Sequence, residues 1–290
     1  MTKKTPPLAW LLLILMALVW GSSFILMKKS LEVYSVVELG AGRLVMAFLF
    51  FIPFIFKSKN DIPKDRYPYL LASGLTGYII PAFIFALAGS KLNSSLSGML
   101  NSLSPLWTLI IGILLFKQPK KGFQIAGILL GLFGAGLIIF SKNTSNLNIV
   151  NPYALLIVVA TCLYGLNTNN IVKNLNMLPP TGAAAFTFLF AGPICLTILL
   201  FTDFFSKAFN PQNWHSTGYL MLLGVLGSGV TSIVYNKTVQ LTSGLFASSV
   251  TYIIPIVAIM WGVLDGEKIM VQHFVGMGVI LTGIYLINKK

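Results

Sequence analysis

The sequence predicts an all-α integral membrane protein with ten transmembrane helices in two inverted five-helix repeats. Three observations point there: an apolar composition, ten evenly spaced apolar runs, and landmarks that recur about 150 residues apart. The 290 residues are 56% hydrophobic and 9% charged, against about 45–50% and about 25% in a soluble domain. Twenty basic and 7 acidic side chains cannot cover a water-facing surface of this size, so lipid replaces water as solvent for much of the chain. The net charge of +13 does not indicate nucleic acid, because the basic residues are dispersed between apolar runs and form no patch.

A helix crosses the hydrocarbon core in about 20 residues. Runs near that length lie at 8–27, 35–56, 68–89, 94–116, 122–140, 153–172, 181–201, 217–239, 244–264 and 270–287. Pro6-Pro7, Asp61-Ile62-Pro63, Lys117-Gln118-Pro119 and Asn210-Pro211 break the pattern between them. The stretch 202–216 has the least certain boundaries and room for a short interfacial segment. The first run follows Lys3 and Lys4, is long for a signal peptide and has no cleavage site, so it is expected to be a retained helix. With a cytoplasmic N-terminus, thirteen Lys and Arg fall inside and six outside, while Arg43 lies within a span. That excess places both termini in the cytoplasm of a cell inner (plasma) membrane, multi-pass protein. Most of the bias comes from the first half.

The repeat is visible at a shift of 150. Tyr69 meets Tyr219, Gly74 meets Gly224, Gly77 meets Gly227, Pro105 meets Pro255 and Gly112 meets Gly262. Further on the shift is 149, where Gly127 meets Gly276 and Gly134 meets Gly283; at the start it is about 144, where Trp20-Gly21 meets Tyr164-Gly165. The repeats are accordingly assigned to 1–145 and 146–290. Five crossings per repeat turn the second one over in the membrane, an architecture that recurs in secondary transporters. Duplication of a stable bundle is the plainer alternative.

Several motifs occur in a particular order: Leu18-Val19-Trp20-Gly21-Ser22-Ser23-Phe24 followed by Lys28, Gly42-Arg43-Leu44, Pro255 through Gly262, Gly266-Glu267-Lys268, Gln272, and Gly276 to Gly283. The chain resembles the EamA-type branch of the drug/metabolite transporter superfamily along essentially its whole length. The resemblance implies export or exchange of small organic metabolites, often amino acids or related compounds. It also implies a central cavity lined mainly by spans 1, 3, 4, 6, 8 and 9. Two departures stand out: Tyr164-Gly165 in place of Trp20-Gly21, and Lys117-Gln118-Pro119 in place of Gly266-Glu267.

Candidate cavity residues are the polar side chains inside spans: Asn101 and Ser104; Tyr164, Asn167, Asn169 and Asn170; Tyr235 and Asn236; Ser248, Thr251 and Tyr252. Such groups either bond across helices or recognise a polar substrate. Trp20, Tyr78, Phe85 and Trp107 are candidates for flat apolar walls. Pro105 and Pro255 should interrupt spans 4 and 9 and free a carbonyl. Gly127 with Gly131, and Gly276 to Gly283, should allow close helix approach. Arg43 is the one arginine deep in a span, where a charge costs about 2.5–3.5 kcal/mol on insertion scales. A structural ion pair to another helix or snorkelling is its first expected role, and a substrate anion the second. Glu38, five residues earlier, is poorly aligned to pair with it. Glu267, at a membrane boundary, is expected to be structural or gating.

Cys162 and Cys195 lie in apolar runs and read as core residues. No metal-ligand spacing, cofactor motif or GxxxxGK[ST] loop occurs in the sequence, so a metal, a cofactor and a self-contained ATP-driven pump are not expected. No carboxylate lies near the middle of a span, which disfavours a cation antiporter and favours a neutral or zwitterionic substrate. The reading is therefore a transporter of small metabolites in the lipid bilayer, and not an enzyme. A membrane-embedded enzyme and a non-transporting scaffold subunit are the competing readings, and a homodimer is compatible with either.

Overall fold

Helices suit these apolar stretches because each satisfies its backbone hydrogen bonds internally and asks nothing of lipid. The computed structural model describes residues 5–118, 122–139 and 152–288, and among them the regular secondary structure is all helical. Ten long helices fall on the ten predicted spans. They are α1 (Pro7–Ser30), α2 (Val36–Ser58), α3 (Lys64–Gly89), α4 (Ser94–Leu114), α5 (Gly122–Ile139), α6 (Pro152–Leu175), α7 (Pro180–Leu200), α8 (Pro211–Leu241), α9 (Gly244–Leu264) and α10 (Val271–Asn288). The repeat boundary assigned at 145/146 lies outside the described residues. So do Lys3, Lys4, Pro119, Lys120, Lys121, Lys142, Lys289 and Lys290.

Local chemistry sets the helix ends. Prolines open α1, α6 and α7, where a missing N–H costs nothing. A capping box opens α2: the Glu38 N–H donates to Ser35 Oγ at 3.2 Å and the Ser35 N–H donates to Glu38 Oε2 at 2.7 Å. The segment 202–216 does hold a short helix, Phe204–Ala208, and a single turn, Pro211–Asn213, that leads into α8. Lys207 of that short helix lies 2.7 Å from the buried Glu38 carboxylate.

Irregularities recur in both repeats. α3 carries a π-helical turn at Leu75–Ile79, and α8 carries one at Val225–Val230. Such turns widen a helix and leave backbone groups to be satisfied locally. α4 is interrupted between Asn101 and Ser104, and α9 narrows to a 3₁₀ turn at Ser249–Tyr252 before resuming at Ile254. Pro105 and Pro255 are each the second residue of the resumed half. Hydroxyls bond to carbonyls there: Ser104 donates to Asn101 O, the carbonyl Pro105 frees, at 2.9 Å, and Thr251 donates to Ser248 O at 3.0 Å.

α5 and α10 are uninterrupted and pack along each other. A Cβ on Gly134 would lie 2.7 Å from Gly276 O, and one on Gly283 would lie 2.6 Å from Gly127 O. Only glycine permits that approach of backbones. Leu129 and Phe133 of α5 and Phe274 and Val275 of α10 remain exposed, as suits a lipid-facing pair.

Candidate functional site

The broken and bulged helices converge between the repeats on a cavity of about 940 Å³, its open mouth included. α1, α3, α4, α6, α8 and α9 line it, with two residues of α2. Its geometry follows from a reciprocal pairing. The first helix of each repeat meets the third helix of the other at its π-helical turn. Trp20 Nε1 of α1 donates to Gly227 O at 2.9 Å and to Thr231 Oγ1 at 3.0 Å in α8. In α6, Asn167 accepts from Ser73 of α3 at 2.6 Å and lies so close to Gly77 that a Cβ there would overlap its amide.

Aromatic rings form the walls. Tyr164 stacks on Phe85 at 5.9 Å, Trp20 lies 5.7 Å from Tyr235, and Tyr78 packs against Phe188 at 4.6 Å. The Tyr235 hydroxyl shares a 2.7 Å hydrogen bond with Thr168 Oγ1. Asn101 is 6% exposed, and its side-chain amide oxygen has no hydrogen-bond partner among the described residues.

Arg43 projects into this space from α2 and is the single charged residue of the lining. Its Nη2 and Nε donate to Ser228 Oγ at 3.1 and 3.3 Å, and its Nη1 faces Met27 Sδ at 3.8 Å. Gly224 makes room for this approach, since a Cβ there would lie 2.6 Å from Arg43 O. The sequence predicts for Arg43 an ion pair to another helix or snorkelling, ahead of a substrate anion. Among the described residues Arg43 has no carboxylate within ion-pair distance, and Glu38 is held by Lys207 instead.

Of the candidates from the sequence, Trp20, Tyr78, Phe85, Asn101, Ser104, Tyr164, Asn167, Tyr235, Ser248 and Thr251 line the cavity. Trp107 and Tyr252 do not: both pack against the surrounding apolar core, and Trp107 is wedged against Gly165 of α6. Asn170 is turned to Tyr69 O, and Asn169 to Thr108 O and Gly165 O. Ser23, Thr168 and Ser228 line the cavity without having been singled out. Thr168 lies one turn from Tyr164, a spacing that could have marked it. A second cavity of about 680 Å³, its open mouth included, lies between α4, α6, α8 and α9, lined by Gln118, Asn169, Asn176 and Thr242 among others.

A polytopic membrane protein with interrupted helices around a polar, aromatic-walled cavity between two repeats has the build of a secondary transporter. The sequence profile of the EamA-like transporter family matches residues 7–140 and again residues 151–289, and this chain belongs to that family of membrane transporters. It is similar to an uncharacterized transporter of Archaeoglobus fulgidus (22% identical over 286 residues, 97% of this chain and 99% of that one). It is also similar to the uncharacterized inner membrane transporter YedA of Escherichia coli (23% over 280 residues, 93% and 87%). The S-adenosylmethionine/S-adenosylhomocysteine transporter of Chlamydia muridarum is 24% identical over 302 residues, 98% of this chain and 92% of that one. A crystal structure with 15% identity matches at a TM-score of 0.68 over 97% of this chain and 96% of its own, which shows the shared fold.

Proposed function

We propose that this transporter exports or exchanges small zwitterionic metabolites of the amino-acid type across the cell inner membrane, with Arg43 taking the substrate carboxylate. The observation that carries the reading is the Arg43 guanidinium, which faces the cavity and is held there by a serine hydroxyl and a thioether. A guanidinium presents five donors in a planar fork, and a carboxylate fits that fork in bidentate fashion. The unpartnered Asn101 amide oxygen supplies an acceptor for an ammonium group. Trp20, Tyr78, Phe85, Tyr164 and Tyr235 supply faces for an apolar or planar side chain. The relative named for S-adenosylmethionine and S-adenosylhomocysteine supports the same class, because both are amino acids bearing a large planar group.

The two repeats then rock about this site, and substrate shifts the balance of states through its differential affinity for them. Both termini are cytoplasmic in this reading, supported by the thirteen-to-six distribution of Lys and Arg. The cavity weighs against the scaffold reading, which a dry interior would favour. No nucleophile, base and carboxylate set lines the cavity, which weighs against an enzyme.

The test is a flux panel. Purified protein in liposomes is loaded with labelled amino acids, S-adenosylmethionine, amines and carboxylic acids. Flux of zwitterions, competed by other zwitterions and not by the corresponding amines, is the expected result. Equal flux of amines lacking a carboxylate would overturn the substrate class. Absence of flux for every compound from folded protein would overturn the reading altogether.

A further inference from the structure

The loops after α4 and α9 are counterparts, yet they make different contacts. The Gln118 N–H donates to Gly112 O at 2.9 Å, and the Glu267 N–H donates to Gly262 O at 2.9 Å. Each turn passes through a left-handed residue, Lys117 at φ 55° and Gly266 at φ 77°. Gly112 and Gly262 each leave room for the side chain that follows, Gln118 in one case and Glu267 in the other. The pseudo-symmetry is close in backbone; the chemistry differs.

At the α9–α10 turn the Glu267 side chain is 2% exposed. It reaches the opposite repeat and closes the N-terminus of α4, whose own N-cap residue Asn93 makes no side-chain cap bond. The Ser94 and Ser95 N–H groups donate to its carboxylate at 2.9 and 3.1 Å, and their hydroxyls donate at 2.8 and 2.7 Å. Lys28 of α1 lies 3.0 Å from Glu267 and 2.7 Å from Asp265, and Lys29 lies 2.8 Å from Asp265. Burial alone would raise the Glu267 carboxyl, but the bonds from Ser95, Ser94 and Lys28 hold it below the usual carboxylate value. An anion at a helix N-terminus with four hydrogen bonds and a cation is a strong clasp.

The α4–α5 turn has the same position, and its described residues form no such clasp. Gln118 donates to Asn169 of α6 at 3.0 Å and does not reach α9 with a hydrogen bond. The α9 N-terminus is capped locally, by Ser243 Oγ accepting from the Phe246 N–H at 3.1 Å. Where Asp265 holds Lys29, Phe116 holds Lys173 through its ring face at 5.4 Å. The second cavity separates Gln118 and Thr108 on one side from Ser243, Gly244 and Leu245 on the other.

We propose that Glu267 and Asp265 latch the outer end of the transporter shut by clasping α4 and α1, that the Phe116–Gln118 turn is its weak counterpart, and that the protein therefore rests open to the cytoplasm. The sidedness rests on the orientation given under Proposed function; the latch itself requires no substrate. The polar second cavity is then the vestibule through which substrate passes to the Arg43 cavity.

The experiment uses the full-length protein in liposomes with Cys162 and Cys195 replaced by alanine. Spin-label pairs are placed at Lys91→Cys with Lys268→Cys for the outer end, and Lys117→Cys with Ser243→Cys for the other. Glu267→Gln is expected to raise the ratio of separated to closed outer pairs about tenfold or more, because hydrogen bonds to a charged group are lost. The inner pair should shorten in the same molecules. Gln118→Glu, which adds a carboxylate two residues from the Phe116 ring that holds Lys173, should shorten the inner pair with the outer latch intact. If Glu267→Gln does not fold, Lys28→Gln serves in its place. A folded latch variant with unchanged distances at both ends overturns the proposal. An impermeant thiol reagent should label Ser243→Cys from the cytoplasmic side; labelling from the outside overturns the sidedness. None of these readouts depends on which substrate is carried, so the distances can shift as expected even where the flux panel fails.

Discussion

The helix pair α4 and α9 and the helix pair α5 and α10 follow each other in their repeats and behave as opposites. α4 and α9 are interrupted midway along their length, where the Ser104 and Thr251 hydroxyls bond to backbone carbonyls, and both contribute to the cavity. α5 and α10 have no interruption and join the repeats through glycines at backbone distance. The contrast teaches where the molecule can move. An interrupted helix can bend at the gap with modest loss of hydrogen bonds, whereas a joint of apposed backbones has one good packing. The proposed substrate cavity therefore lies among the helices that can bend, with α5–α10 as the seam expected to stay fixed.

The largest expected effect sharpens the cavity side of the comparison. Arg43→Gln should raise the apparent KM for a zwitterion by about 10- to 100-fold, the value of one or two lost charge-assisted bonds. Arg43→Lys should fall between, since an ammonium lacks the bidentate fork. Flux assays across substrate concentration check both; an unchanged KM with lowered maximal flux would instead make Arg43 a structural residue of the α2–α8 contact.

The seam should break differently. Gly134→Leu places a side chain against Gly276 O and Ile280 N, which are backbone and cannot yield. Overpacking of this kind costs about 1–3 kcal/mol or more. Thermal unfolding in detergent should show the loss, while the KM of the folded fraction stays unchanged. Trp20→Phe is a smaller perturbation. It removes the donor to Gly227 O and Thr231 Oγ1. A loss of about 0.5–1.5 kcal/mol is expected, read as a few-fold change in flux.

Much of this arrangement is legible in the chain. Apolar runs and prolines mark the helices, and the 150-residue offset marks Gly77 with Gly227 and Pro105 with Pro255. The offset also brings the π-helical turns of α3 and α8 into register, though nothing in residue identity announces a π turn. Partner choice is where the sequence is silent. Arg43 and Glu38 stand five residues apart, yet the acid is held by Lys207 and the arginine by Ser228, 169 and 185 residues away. Such pairings depend on how helices meet in three dimensions, which local periodicity does not encode. Trp107 and Tyr252 show the same limit: polar or aromatic character within a span does not reveal which way a side chain faces when the helix is interrupted beside it.

The remaining expected effect concerns pH, and it separates the two ends of the hinged pair. Contacts with Lys28 and Lys29 lower the Asp265 carboxyl, and the serine and Lys28 contacts lower that of Glu267. A lowered carboxylate strengthens the closed outer end wherever it is ionised, and its contribution disappears as pH falls through the lowered value. The outer pair Lys91→Cys with Lys268→Cys should therefore hold a constant distance from about pH 8 to about pH 5 and separate only below the ordinary glutamate value of 4.5. Lys28 from α1 and Ser94 and Ser95 from α4 face Glu267, and none of them loses a proton in that range, so among the groups of the latch only the carboxylates titrate. The inner pair, built on Gln118, carries no such carboxylate and should respond only as the outer end releases it. A transition at the outer pair centred near neutral pH would mean that Glu267 is not ionised when the latch is closed.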